Sequence, residues 1–490
     1  MISRRQLVQL MLASLAATHV TACGRGQVDL TQEGSAPKAI VVGAGMAGLK
    51  AAQDLQTAGF KVLIIEARDR LGGRIWTRDD LGVPLDMGAS WIHGIRGNPI
   101  SELANTLQTP TFEWDYENGQ LTNLSRENGP ILETLLDQVE RGLTRAYQRL
   151  EATDFDVTIG DVVEAARQAG AFKGFNRQEI DFAVQMIIEL EMAADRDQVS
   201  AIGADEGDLF SGPDVLLNEG YRVLIEHLAN GLDVHLSERV TEIDYGGKRV
   251  VLGTDKDAYS ADFVVLTVPL GVLKKQDIRL QPDLSEAKQA ALNGLEMGLL
   301  NKLFLRFEEA FWPPEINSFM RIAQTGSSWT SWFNLTLMHD APILFALNSG
   351  RTAKQLEALE DAELIAQAMA SLREIFGPDI PEPSAAMITR WASDPYAYGS
   401  YSYCPPGSDP ALREALTEPL KELLFFAGEA TSSLYPATVH GAFLSGQAAA
   451  AAITDKAVMR VKQKAKAKEE EEEVPADEKK GKKEKADDGH

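Results

Sequence analysis

With 490 residues, 44% of them hydrophobic, the chain has apolar content for one large core or two moderate ones, which excludes a wholly disordered protein. Its formal charge of −24 disfavours nucleic-acid phosphates as partners and suits a cleft that draws in small cations. Two cysteines, Cys23 and Cys404, are too few for a disulfide framework, and no metal site is read from the sequence.

Met1 to Ala22 reads as a twin-arginine, lipoprotein-type signal segment. Ser3-Arg4-Arg5-Gln6-Leu7 supplies the arginine pair, and the apolar stretch from Leu7 to Val20 is too short to span a bilayer. Val20-Thr21-Ala22 then precedes Cys23 in the manner of a bacterial lipobox, which predicts a lipid on Cys23. Export by a twin-arginine route and anchoring on the periplasmic or extracellular side of a membrane are expected on that reading. Residues 23–37 read as a tether.

Lys38 to Val42 is a short apolar run, Met46 to Thr57 has helical periodicity, and Lys61 to Ile65 is a second run, together a βαβ unit. Gly43-Ala44-Gly45-Met46-Ala47-Gly48 lies between strand and helix. There Gly43 makes the turn, Gly45 lets backbone amides approach a pyrophosphate at the helix N-terminus, and Gly48 permits close helix packing. Glu66, 23 residues after Gly43, puts an acid where ribose hydroxyls bind. Dinucleotide binding is the reading.

From Leu107 to Ala201 the pattern is mostly helical, with Leu132, Leu135, Leu136 and Val139 on one stripe. Val234 to Tyr245, Arg249 to Gly253 and Phe263 to Val268 predict a small antiparallel sheet turned at Gly246-Gly247. Asn301 to Phe307 and Trp329 to Leu335 predict a second sheet. Ala353 to Phe376 predicts helix, Leu424 to Ala427 a buried strand, and Gly441 to Ile453 a last helix. The stretch 455–490 carries 11 basic and 11 acidic residues without a sustained apolar stripe, so it is expected to be a charged disordered tail or a solvated helix that buries no core.

The residues after the first acid are more specific. Glu66-Ala67-Arg68-Asp69-Arg70-Leu71-Gly72-Gly73-Arg74 resembles the second glycine pair and arginine of the flavin amine oxidase family. Further segments match that family in its own order: Gly88-Ala89-Ser90-Trp91-Ile92-His93-Gly94 with Gly97-Asn98-Pro99, Asp262 to Pro269, Asn301-Lys302, Trp391 to Tyr403, and Phe425 to Ala442. The resemblance runs from about Lys38 to Thr454. It implies an α/β fold in which a Rossmann-type FAD-binding domain (38–106, 205–290, 405–454) is interleaved with an α+β substrate-binding domain (107–204, 291–404).

By that resemblance FAD is held by Gly43, Gly45, Met46, Ala47 and Gly48, by Glu66, Ala67, Arg68, Gly73 and Arg74, and by Gly88, Ala89 and Ser90. Val240 would meet the adenine end through its backbone; Trp391, Gly428, Glu429, Thr438 and Val439 complete the set. Some relatives tether FAD through a cysteine where this chain has Ser400, and Cys404 lies four residues later, so dissociable, non-covalent FAD is expected. An exported protein that acquires FAD before translocation also suits the twin-arginine route.

The resemblance further implies that Tyr401 and Tyr435 face each other and sandwich the substrate amine, and that Lys302 holds a water against the reactive flavin nitrogen. A lysine inside the apolar run Leu300 to Phe304 is costly to bury without a role; an edge-strand lysine facing solvent is the alternative. Trp91-Ile92-His93-Gly94 is similar to animal spermine and acetylpolyamine oxidases, which implies a polyamine substrate, dioxygen as acceptor, and an aminoaldehyde, a shorter amine and hydrogen peroxide as products. His93 and one of Glu189 or Glu191, with Glu191 preferred, are expected to meet substrate nitrogens; a structural histidine and solvated helix carboxylates are the alternatives. An L-amino-acid oxidase would need an arginine for the substrate carboxylate, and none is identified. A dehydrogenase with another electron acceptor, or a flavoprotein without oxidase turnover, stays open.

Overall fold

The computed structural model describes residues 36–151, 156–205, 207–324 and 328–472. The expected signal segment, Cys23 and most of the tether lie outside the described residues. No described helix is long and apolar enough to cross a membrane.

A five-stranded sheet organises the dinucleotide half. Its order is Leu424–Phe426, Phe263–Leu266, Lys38–Val42, Lys61–Ile65, Val234–His235, and every neighbouring pair is parallel. Near-continuous apolar runs such as Phe263-Val264-Val265-Leu266 form such strands because both faces are covered. On one face Met46–Thr57 packs with the helix that begins at Val439. On the other, Ile40, Val42 and Val264 share a core with Val240, Ile243, Val250 and Leu252 of a smaller four-stranded sheet.

That smaller sheet is Ala258–Ala261, Val250–Thr254 and Val240–Asp244, antiparallel, with Arg279–Gln281 added in parallel. Phe263–Leu266 and Val234–His235 do not join it, contrary to the sequence reading. An unbroken four-residue apolar strand has two faces to bury, which the parallel sheet provides and a surface antiparallel sheet does not.

The other half is a six-stranded sheet ordered Ala385–Ile388, Leu300–Arg306, Ile343–Ser349, Ser331–Asn334, Ser318–Ile322, Gly119–Asn123, antiparallel except for the last pair. Helices Leu132–Glu151, Ile159–Gln168 and Arg177–Val184 contribute to the core that covers it. The expected helical interval therefore opens with strands at Thr111–Glu113 and Gly119–Asn123, whose short polar sequences carry no strand periodicity.

Two helical details bear on the site. Gln185–Glu189 is a π-helical turn that continues into Leu190–Met192 and ends at Ala193 in the left-handed region. The last helix runs from Val439 to Glu472 rather than stopping near Ile453. Ile453, Ala457 and Val461 extend its apolar stripe at i, i+4, i+8; Ala457 is buried, and Val458 and Val461 pack on the same core. The Arg460 guanidinium lies 4.5 Å from the centroid of the Phe263 ring, and Lys456 pairs with Glu422. The expected coreless tail is thus corrected: up to Val461 this segment is structural, and alanine, lysine and glutamate carry the helix onward.

Candidate active site

One cavity of about 380 Å³ lies at the carboxyl ends of the parallel strands, within the roughly 300–1,000 Å³ usual for small-molecule sites. Its dinucleotide end is built by the first βα turn. Gly43 has φ +106, and a Cβ there would stand 2.6 Å from Thr267 Oγ1. Glu66, buried at the end of the second strand, accepts hydrogen bonds from the Ala44 amide at 2.7 Å and the Arg68 amide at 2.8 Å. The acid is thereby fixed beside the helix N-terminus, where the amides of Met46 and Ala47 favour an anion.

Two arginines enter from the following loop. Arg68 forks onto Asp394 at 2.9 and 2.8 Å. Arg74 donates to Glu429 Oε1 at 2.8 Å and to the Ser400 carbonyl at 2.9 Å. Burial alone would raise the Glu429 acid, yet Arg74, the Ser402 hydroxyl and Arg413 outweigh it and hold it below the usual carboxylate range. Arg413, itself fully buried, donates to Ser402 Oγ at 2.7 Å. It belongs to this site's framework although no motif in the sequence marks it.

Of the expected cofactor contacts, Gly43, Gly45, Met46, Ala47, Glu66, Ala67, Arg68, Gly73 and Arg74 line the cavity, as do Gly88, Ala89, Ser90, Val240, Trp391, Gly428, Glu429, Thr438 and Val439. Gly48 does not. A Cβ on Gly48 would fall 2.0 Å from the Gly43 carbonyl oxygen, so its role is to let helix and turn touch. The donor amides, the fixed acid and the long, mostly apolar lining fit a bound flavin dinucleotide. Cys404 is buried and does not line the cavity, while Ser400 does, which suits dissociable binding.

At the other end Lys302 sits on Leu300–Arg306, an interior strand flanked by Ile343–Ser349 and Ala385–Ile388. The edge-strand alternative is therefore excluded. Its Nζ donates to the carbonyls of Asp86 at 2.8 Å and Gly88 at 2.7 Å and also to the Ser90 hydroxyl. Burial lowers the Lys302 ammonium to about 8, against the opposing pull of Asp86. Burial likewise raises Asp86 to about 6, opposed by the Thr77 hydroxyl and Lys302.

Tyr401 lines the cavity and donates from its hydroxyl to the Leu190 carbonyl at 2.9 Å. That carbonyl closes the helix that follows the π turn, where a carbonyl lacks its helical partner. Tyr435 does not line this cavity. Its ring stacks on Phe210 with centroids 4.8 Å apart and 13° between planes, outside the cavity lining. Of the two expected tyrosines, the cavity lining therefore takes Tyr401 and not Tyr435. Thr438 Oγ1 donates to the Tyr435 carbonyl at 2.8 Å in a tight turn that brings Ala437 and Thr438 inward and leaves the Tyr435 ring outside.

The remaining wall carries the polar groups of the substrate end. His93 and Glu191 both line it. Glu189 instead pairs with Arg196 at 2.6 Å; burial raises its acid, opposed by that arginine. Behind His93 stands Asp214, which sequence reading missed: it meets His93 Nδ1 at 2.8 Å and accepts from the Gly94 amide at 2.9 Å and the Tyr116 hydroxyl at 3.0 Å. Burial would raise Asp214, but His93 and the two donors outweigh it and hold it at about 2. Trp91, Met186, Leu190, Phe333 and Leu347 supply apolar walls.

Comparison with known proteins agrees with this geometry. The family described as flavin containing amine oxidoreductase matches residues 46–454. Polyamine oxidase 2 of Arabidopsis thaliana is 35% identical over 432 residues, covering 84% of this chain and 87% of the relative. Lysine-specific histone demethylase 1 homolog 2 of the same plant is 35% identical over 438 residues, covering 85% of this chain and 58% of that longer protein. Among solved structures, putrescine oxidase bound to putrescine superposes with a TM-score of 0.71 at 23% identity, covering 85% of this chain and 98% of that one.

Proposed function

The chain belongs to the family of flavin-containing amine oxidoreductases, and we propose that within it the protein oxidises polyamines, with dioxygen as the electron acceptor. It is an FAD-dependent amine oxidase. Bound FAD supplies the hydride acceptor for the carbon that bears the reacting nitrogen. The protein's own groups position a neutral amine, exclude water and manage protons.

One observation carries the polyamine reading: among the described residues, the substrate end presents acceptors and a carboxylate but no guanidinium. Glu191, His93 backed by Asp214, and the aromatic faces of Trp91, Phe333 and Tyr401 suit a chain with several amino groups. The lining arginines are Arg68, Arg74 and Arg239; Arg68 and Arg74 are each engaged by a carboxylate, and Arg239 adjoins Val240, expected at the adenine end. A substrate carboxylate would lack the bidentate partner it needs, which disfavours an amino-acid oxidase. Tyr401 is held by Leu190 so that its ring forms one wall for the amine. Lys302, gripped by oxygens of the Asp86–Ser90 segment, can accept or return a proton beside the reaction centre at mildly alkaline pH.

The products would be an aminoaldehyde, a shorter amine and hydrogen peroxide. Anaerobic flavin bleaching and peroxide release test this with spermine, spermidine, putrescine, a monoamine and L-amino acids. Rapid bleaching by polyamines with peroxide in air is the expected result. Bleaching only by amino acids would remove the polyamine reading, and bleaching without peroxide would replace dioxygen with another acceptor.

For location, our reading is export by the twin-arginine route with a lipid on Cys23, supported by the order Arg4-Arg5, apolar run, Val20-Thr21-Ala22, Cys23. Mass spectrometry of the mature N-terminus decides it, since an unmodified Cys23 in membrane-free protein would end the proposal.

A further inference from the structure

The loop 391–400 leaves the six-stranded sheet after Ala385–Ile388 and crosses to the dinucleotide half before Ser402–Tyr403. Its foot is fixed in the half it comes from: Asn301 Oδ1 accepts from the Trp391 amide at 3.1 Å, and the Glu357 carboxylate accepts from the amides of Ala392 at 3.2 Å and Ser393 at 2.7 Å. The Gly399 amide donates to the Trp391 carbonyl at 2.8 Å, so the two ends of the loop meet. Between them Asp394 serves twice. Its carbonyl accepts from the amides of Ala397 and Tyr398 to make the turn, and its carboxylate takes the Arg68 fork. These two side chains are 11% exposed for Arg68 and 17% for Asp394, and the guanidinium also lies 5.2 Å from the centroid of the Tyr396 ring, which sets the pair apart from a loose surface ion pair. The far side of the loop is held as well. A Cβ on Gly271, in the helix Leu270–Lys275 that follows Phe263–Leu266, would stand 2.3 Å from the Ala397 carbonyl oxygen, so helix and loop touch. The Tyr398 hydroxyl donates to Asp277 at 3.0 Å, and Tyr398 has φ +54, a conformation that a non-glycine residue keeps only where its surroundings hold it. Pro395, Tyr396, Tyr398 and Asp277 line the cavity together with Arg68 and Glu66, whereas Asp394 stands behind them.

We propose that the loop 391–400 is a clasp across the ribose end of the flavin site, and that Asp394 is the positioning residue that locks it by gripping Arg68. The inference concerns how long the cofactor is retained and does not depend on which amine is oxidised. Glu66 and the amides of the first turn belong to one βα unit packed within the dinucleotide half. The clasp instead crosses between the halves, and its side-chain ties to the dinucleotide half are a two-pronged ion pair and a hydroxyl hydrogen bond, contacts that break without dismantling a sheet. Arg68 joins the two parts: its amide donates to Glu66 while its guanidinium holds Asp394, so opening the clasp loosens a wall beside the acid that awaits the ribose hydroxyls. With Ser400 in place of a tethering cysteine, these contacts govern the release of the dinucleotide.

The test is the rate at which bound FAD exchanges with excess isotopically labelled FAD, read by mass spectrometry of the flavin retained on the holoenzyme. Asp394→Asn keeps the backbone turn and an acceptor for the Tyr396 amide but sets an amide NH₂ against the guanidinium. Exchange is expected to quicken roughly 10- to 100-fold. In an Arg68→Gln background the same change should add no more than about twofold, because Asp394 acts through Arg68. Tyr398→Phe removes a single hydroxyl and should quicken exchange about threefold. A merely structural ion pair would lower the melting temperature of FAD-saturated Asp394→Asn while leaving exchange within about twofold of wild type, and that result overturns the proposal. Equal quickening by Asp394→Asn with and without Arg68 overturns it too. Should Asp394→Asn fail to fold, Tyr398→Phe decides, since exchange at the wild-type rate overturns the clasp. FAD that stays on the denatured wild-type chain is covalently held and overturns dissociable binding and the clasp together.

Discussion

Lys302 shows how one residue can be costly to the fold and useful to the site. Its ammonium is taken out of water and compensated by two backbone carbonyls and a hydroxyl rather than by a directly bonded carboxylate. With its folded value near 8, below the ordinary 10.5, the burial cost is fully present below pH 8, where folded and unfolded chains are both protonated. Between pH 8 and 10.5 the folded form gives up its proton first, so this residue's contribution to stability grows with pH across that window. Lys302→Met is expected to slow flavin reoxidation roughly 100-fold and to erase any rise in that rate through pH 8, read by stopped-flow mixing of reduced enzyme with oxygen. Glu429 is the opposite case, an acid kept charged between Arg74 and Arg413. Glu429→Gln leaves those guanidinium groups without their countercharge, and a loss of about 3 kcal/mol with partial loss of FAD is expected in thermal unfolding and flavin content. Both side chains could be singled out from the sequence, because a lysine in an apolar run and a Gly-Glu after a buried strand are local anomalies. Asp214, Tyr116 and Arg413 could not. Their neighbours in sequence carry no pattern, and their partners lie beyond local reach, from 11 residues away for Arg413 and Ser402 to 121 for Asp214 and His93.

Among the elements, the first βα turn was legible down to the purpose of each glycine, since the constraint is local: a strand, a turn with positive φ and a helix packed against the turn. Gly48→Ala puts a methyl 2.0 Å from a backbone oxygen that cannot retreat. A loss of about 3 kcal/mol and FAD-poor protein are expected, measured by denaturant unfolding and absorbance of the bound flavin. The loop from Ser432 to Val439 was legible only in part. Its sequence identified it as cavity wall, but the Thr438-closed turn decides which side chains enter, and it selects Ala437 and Thr438 over Tyr435. The π turn at Gln185–Glu189 was not legible at all. One extra residue in a helical turn changes no composition or periodicity that a short segment could reveal, yet it helps decide that Glu191 reaches the cavity while Glu189 pairs with Arg196.

For the molecule as a whole, the C-terminal helix is where charge composition misled. A stripe one residue wide at Ile453, Ala457 and Val461 suffices to dock it on the dinucleotide core, while lysines and glutamates occupy the rest of its surface. Ending the chain after residue 463 should leave thermal stability and flavin content as they are. Ending it after 454 removes Ala457, Val458, Val461 and the Arg460 contact with Phe263, and about 2 kcal/mol of stability should go with them. Thermal unfolding of the two truncated holoenzymes compares them directly. Equal melting of both would return the segment from 455 onward to the status of a tail.

By itself the sequence determined the dinucleotide cradle and the flavin amine oxidase family, because glycine turns, strand-end acids and ordered motifs are constraints written within a few residues of one another. Only the tertiary structure decided which sheet Phe263–Leu266 joins, which way the Tyr435 ring faces, and that Asp214 stands behind His93. Those depend on packing between segments separated by tens to hundreds of residues, where the free energy is set by what lies opposite a side chain and not by what lies beside it in the chain.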